Sequence, residues 1–127
     1  MHHMLLVGIG GFLGSIARYL LTHAVMGPAP TTAAAVRFPL GTLLINVLGC
    51  FAIGWFAALG EQRQIFTQTT RLFLFTGLLG GFTTFSAFAH DTLVLGQKSA
   101  LPMMFANIAL QLILGLGAAW LGSRVAG

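Results

Sequence analysis

From Leu40 to Leu59 the chain runs without a formal charge, and from Ala100 to Gly122 it does so again. Backbone crossing hydrocarbon has no water to bond to, so its N–H and C=O groups must pair within the segment. A run of roughly 20 apolar residues therefore reads as a spanning α-helix. Two more runs qualify: Met4 to Val25, interrupted by Arg18, and Leu72 to Leu95, with Asp91 near its end. The expected fold is an all-α membrane protein of four transmembrane helices, at about 4–25, 40–59, 72–95 and 100–122, in one domain over residues 1–127.

Composition points the same way. Charged residues make up 6% of the chain, against about 25% in ordinary soluble domains. The net charge of +4 comes from basic residues scattered singly between apolar runs. They read as membrane-flanking charges facing a lipid bilayer, and no basic patch with interleaved aromatics speaks for nucleic acid. The N-terminal MHHMLLVGIGGFLG lacks a basic leader region, and its apolar run is long enough to span. The single cysteine, Cys50, reads as a small buried hydrophobe.

Between the spans, GPAPTTAAAVRFP reads as a loop with a short interfacial piece, and GEQRQIFTQTTR and GQKSALP as short polar connections. Pro102 suits the first turn of the last helix. Gly10 and Gly14, Gly77 and Gly81, and Gly115 and Ala119 have the four-residue spacing that lets membrane helices approach closely, within one chain or between copies.

Four spans put both termini on one side. That side carries Arg63, Arg71 and Arg124. The other carries Arg37 and Lys98, with Arg18 towards it. The balance gives almost no preferred orientation. The expectation is dual topology, with oppositely inserted copies pairing as an antiparallel homodimer.

Catalysis has no support. No serine, histidine and acid set recurs, no Cys/His metal spacing is present, and the only carboxylates are Glu61 and Asp91. The intramembrane polar residues carry the argument, because such groups normally face protein or a water path. Arg18 can snorkel to the interface or attract anions at a vestibule. The Asn46 amide can hold an anion or bridge helices. Asn107 and Gln111 lie four apart on one helix face, as structural glue or as a polar track.

The stretch GLLGGFTTFSAFAHDT, Gly77–Thr92, is the most unusual. Adjacent Gly80 and Gly81 weaken a helix, which predicts a third helix broken at mid-membrane. Carbonyls released there would suit a hard cation such as Na⁺. Phe85 and Phe88 share a face, and the positive edges of their rings can line a route for a small anion. Thr83, Thr84 and Ser86 add hydroxyls between the aromatics.

Four segments together resemble the small bacterial fluoride channels called Fluc or CrcB: GGFLGSIARY, GTLLINVLGCF, GGFTTFSAF and GLGAAWLG. They fall on all four helices in order. The resemblance implies a dual-topology antiparallel homodimer exporting fluoride passively across the bacterial cytoplasmic (inner) membrane, with two pores and a central structural Na⁺. It assigns the Na⁺ to the backbone carbonyls of Gly80 and Thr83 of both chains. It makes Phe85 and Phe88 the pore aromatics, Asn46 the pore amide and Arg18 the vestibule arginine, with Ser86 on the polar track. Thr84, Asn107 and Gln111 complete the expected pore set. The chain departs from the family pattern at Ala87, where threonine is usual, at Asp91, where glutamate is usual, and at Asn107 and Gln111, where tyrosine and serine are usual. Two other functions compete: a small proton-coupled multidrug exporter, which would need an intramembrane carboxylate, and a non-transporting membrane scaffold.

Overall fold

The computed structural model describes residues 1–28 and 36–127. The interfacial piece expected in the first connection falls largely outside the described residues. All regular structure within them is helical. The first two spans are α1 (His2–Met26) and α2 (Leu40–Arg63). The third span, Gln68–Gln97, is composite. It consists of α3 (Gln68–Arg71), a π-helical stretch (Leu72–Leu79), α4 (Gly80–Phe82) and α5 (Phe85–Gln97). The fourth span is α6 (Leu101–Ala126).

All four spans are long and apolar enough to cross a membrane, as the four apolar runs predict. The helices extend past the apolar limits read from sequence. α2 continues through Glu61, Gln62 and Arg63, and it ends at Gln64 in the left-handed conformation, φ 48°. Helical hydrogen bonding does not stop where hydrocarbon does, so polar residues continue the last turn outside it. Pro102 lies in the first turn of α6, where its missing N–H has no intrahelical partner to lose.

Two helix pairs dominate the packing. α2 lies along α6, and α1 lies along the π-helical stretch and α4. Glycines set both approaches. A Cβ on Gly10 would stand 2.7 Å from the Phe73 carbonyl oxygen, one on Gly81 would stand 2.5 Å from that of Gly11, and one on Gly14 would overlap that of Leu78. Across the other pair, a Cβ on Gly54 would meet the Ala119 carbonyl and one on Gly122 the Phe51 carbonyl. Two of the spaced pairs, Gly10/Gly14 and Gly77/Gly81, thus meet each other within one chain. Backbone-to-backbone contact of this kind lets dispersion act where no hydrophobic effect separates helix from lipid.

Few apolar side chains are buried: Leu43, Ile45, Leu79 and Leu95 form most of the thin core. Phe12, Tyr19, Phe105, Leu116 and Trp120 are exposed outward, which is the inverse of a water-soluble fold and suits a lipid solvent.

Candidate functional site

In the third span, the helix-weakening glycines Gly80 and Gly81 are themselves helical. The two residues in extended backbone are Thr83 (φ −81°, ψ 158°) and Thr84 (φ −154°, ψ 113°). The cause lies on α2. Asn46 Oδ1 accepts the Thr84 N–H at 2.9 Å, and Asn46 Nδ2 donates to the Thr84 carbonyl at 3.0 Å. One amide side chain replaces both main-chain partners that a helix would supply. One turn further along α2, Gly49 leaves the gap into which the Thr83 methyl inserts. Any side chain at residue 49 would fill the seat that Thr83 occupies. Thr84 Oγ1 then caps α5 by accepting the Ala87 N–H at 3.1 Å.

The capture of those two N–H groups leaves particular oxygens without their helical donors. In a continuous helix, the Thr84 N–H would serve the Gly80 carbonyl and the Ala87 N–H the Thr83 carbonyl. Both donors are engaged elsewhere. Among the described residues, the Thr83 oxygen receives only a long contact from Arg18 Nη1, 3.4 Å. Neutral carbonyl oxygens suit a hard cation, so Gly80 and Thr83 fit a Na⁺ site in donor chemistry. One chain supplies two such oxygens, and a full shell needs more from a second copy or from solvent. Among the described residues no cluster of three His, Cys, Asp or Glu side chains gathers.

Two cavities flank Thr84. The first, about 340 Å³, is lined by Asn46, Gly80, Thr83, Phe85, Phe88 and Gln111, with apolar neighbours. The second, about 630 Å³, is lined by Arg18, Thr42, Ser86, His90 and Asp91. Thr84 lines both. Phe85 and Phe88 meet edge to face, centroids 5.4 Å apart at 61°, as their spacing on one helix face leads one to expect. Phe85 is 76% exposed and Phe88 half-buried. Ser86 Oγ lies 3.2 Å from Thr84 Oγ1, so the hydroxyls between the aromatics are joined.

The two amides of α6 diverge in their partners. Gln111 Oε1 accepts from Asn46 Nδ2 at 3.1 Å, on the α2 side. Asn107, fully buried, donates from Nδ2 to Thr92 Oγ1 at 2.9 Å, on the α5 side, and Thr92 passes its own hydrogen to the Phe88 carbonyl at 2.7 Å. Among the described residues, each amide keeps one buried polar atom without a partner, Gln111 Nε2 and Asn107 Oδ1.

Three features had little signal in the sequence. Thr42 Oγ1 donates to Asp91 Oδ2 at 2.7 Å, tying α2 to α5. Thr92 works with Asn107. Gly49 seats Thr83. Gly49 does stand one turn from Asn46, inside the GTLLINVLGCF segment, but nothing in that segment tells what it seats.

A family model described as "CrcB-like protein, Camphor Resistance (CrcB)" matches residues 5–123. A protein of Methylobacillus flagellatus named "Fluoride-specific ion channel FluC" is 40% identical over 96% of this chain and 92% of its own length. A protein of Solibacter usitatus with the same name is 41% identical over 96% of both chains. One from Methanosarcina acetivorans, "Fluoride-specific ion channel FluC 1", is 38% identical over 96% of this chain and 88% of its own.

Proposed function

The chain belongs to the CrcB-like family, and on that premise we propose that it is a fluoride-specific channel giving passive fluoride export across the cytoplasmic (inner) membrane of a bacterium. The protein is not an enzyme. The observation that carries the proposal is similarity at 38–41% identity over almost the whole length of relatives bearing that name.

The site's chemistry supports it. Arg18, beside the larger cavity, supplies the positive charge that draws an anion in. Thr84, which lines both cavities, and Ser86, which lines the larger, offer hydroxyls 3.2 Å apart. Phe85 and Phe88 present ring edges, which attract an anion without holding it tightly. Apolar walls around the smaller cavity discourage retained water. We further propose that two copies pair in antiparallel fashion, with two pores and one structural Na⁺ on the Gly80 and Thr83 carbonyls of both chains. The third span is then interrupted at mid-membrane, where a cation offsets the cost of carbonyls lacking donors.

Reconstituted in liposomes loaded with potassium fluoride, with potassium permeability clamped by an ionophore, the protein should release fluoride without any proton gradient. Vesicles that release fluoride no faster than protein-free ones would overturn the proposal. A requirement for a proton gradient would instead favour an exporter working through Asp91.

A further inference from the structure

The connection between the second and third spans holds an acid and a base in one cavity. Residues 60–71 join two apolar runs, so they lie where hydrocarbon gives way to headgroups. Trp55, partly exposed shortly before them on α2, stands where interfacial aromatics stand. A cavity of about 530 Å³ opens in this stretch, lined by Gly60, Glu61, Gln64, Phe66, Gln68 and Arg71. Packing builds it. Gln64, left-handed at φ 48°, turns the chain back from α2. Phe66 then meets Phe56 of α2, ring centroids 6.2 Å apart at 62°. A Cβ on Gly60 would stand 2.8 Å from the Phe66 ring and 3.4 Å from Arg71 Nη2. The missing side chain therefore lets the ring and the guanidinium lie close against the α2 backbone, next to Glu61. Yet neither Glu61 nor Arg71 takes an ion pair or a side-chain hydrogen bond among the described residues.

In a soluble loop, water alone would answer both charges. At the edge of a bilayer the neighbours are headgroups, and opposite charges in one cavity suit a zwitterion. We propose that this cavity seats the headgroup of phosphatidylethanolamine, with its phosphate on the Arg71 guanidinium and its ammonium on the Glu61 carboxylate. A planar guanidinium matches two phosphate oxygens at once. The ammonium brings three N–H donors, and Glu61 with the side-chain carbonyls of Gln64 and Gln68 supplies the acceptors. Phosphatidylcholine carries the same charges without an N–H. Phosphatidylglycerol carries no cation and leaves Glu61 unanswered. A free phosphate ester of ethanolamine shares the chemistry, but depth favours the lipid: its acyl chains would continue past exposed Ile65 and Trp55. The proposal stands apart from the channel reading.

The test uses the full chain in detergent, with native mass spectrometry counting the lipids retained from an equimolar mixture of phosphatidylethanolamine, phosphatidylcholine and phosphatidylglycerol. Phosphatidylethanolamine should be retained over each of the others by at least about threefold. Glu61→Gln should erase the preference over phosphatidylcholine and raise the share of phosphatidylglycerol. Arg71→Gln should lower retention of all three. Both side chains are exposed, so both variants should fold, and circular dichroism checks that they do. Equal retention of the three lipids by the unaltered protein would overturn the proposal. A preference for phosphatidylethanolamine that survives both substitutions would overturn it too, because the lipid would then sit elsewhere. Water-soluble glycerophosphoethanolamine, added as a competitor, should displace the lipid only in large excess. Displacement at equal concentration would reject the lipid as the ligand. If a variant fails to fold, the lipid ranking of the unaltered protein and the competitor decide. Fluoride release is measured separately and has no part in these outcomes.

Discussion

The Asn46 carboxamide and the Thr84 main chain pair as two neighbouring β-strands do, exchanging one N–H and one carbonyl at 2.9 and 3.0 Å. A residue of one helix thereby serves as a single-residue strand for another span. The arrangement holds Thr83 and Thr84 extended between two helical segments.

Asn46→Leu keeps the bulk of that side chain and leaves the Thr84 N–H and carbonyl unpaired. At about 1–3 kcal/mol for each such group, the variant should lose about 2–6 kcal/mol of stability. Thr84→Ala removes the α5 cap and the exposed contact with Ser86 Oγ, keeps the main-chain pairing with Asn46, and should cost about 1 kcal/mol. Denaturant or thermal unfolding in detergent checks the order. Equal losses in the two variants would show that the amide does not hold the extended residues.

Gly14 and Gly8 lie on the same helix and should respond oppositely to alanine. A Cβ on Gly14 overlaps the Leu78 carbonyl, whereas among the described residues nothing outside its own helical turn lies within 4 Å of one on Gly8. Gly14→Ala must push α1 off the third span, at a cost of about 1–3 kcal/mol. Gly8→Ala should be neutral, or stabilising by up to about 1 kcal/mol through helix propensity. Unfolding midpoints of the two variants side by side give the answer.

Phe85→Ile and Phe88→Ile retain apolar bulk and remove the ring quadrupole. An edge contact with an anion is worth about 1 kcal/mol by comparison with other aromatic interactions, so each variant should lose at least about fivefold in fluoride flux. Phe85 is 76% exposed, so Phe85→Ile should cost no more stability than its edge-to-face pair with Phe88, about 1 kcal/mol. Wild-type flux in both variants would reject the aromatic route.

Replacing all Na⁺ by a large organic cation should slow or stop fluoride release, and the direction of a Na⁺ gradient should not matter. Thr83→Ser should be mild in this assay, since it keeps both the carbonyl and the hydroxyl that bonds the Leu79 carbonyl at 2.9 Å. Flux indifferent to Na⁺ would mean that the Gly80 and Thr83 carbonyls have another purpose.

The four spans were legible because hydrocarbon imposes a length and an absence of charge, and both can be read along the chain. Arg18, Asn46, Asn107 and Gln111 were legible as costly exceptions to that rule. What each exception touches was not. The glycines at 80 and 81 marked the right neighbourhood, yet the extended residues are Thr83 and Thr84. The choice is made by Asn46 and Gly49, far away in sequence, and no local propensity records it. Likewise, the spacing of Asn107 and Gln111 told that they share a face, but not that one turns to α5 and the other to α2. Gly10, Gly14, Gly77 and Gly81 showed the capacity for close approach, and only the folded chain shows that they approach one another.

The π-helical stretch Leu72–Leu79 ends where the Gly80 N–H reaches back to the Phe75 carbonyl. An i→i+5 turn holds one residue more than the α-turn it replaces, so the stretch behaves as an insertion absorbed without loss of the helix. Removing a single residue from Leu72–Thr76 should let the segment relax to ordinary α geometry, with Gly77 and Gly81 still facing α1. The same removal beyond Phe82 would move Thr84 out of register with Asn46. Tolerance to deletion should therefore change abruptly along this one span, and the boundary would mark where a slack helix gives way to one whose every residue is counted against Asn46.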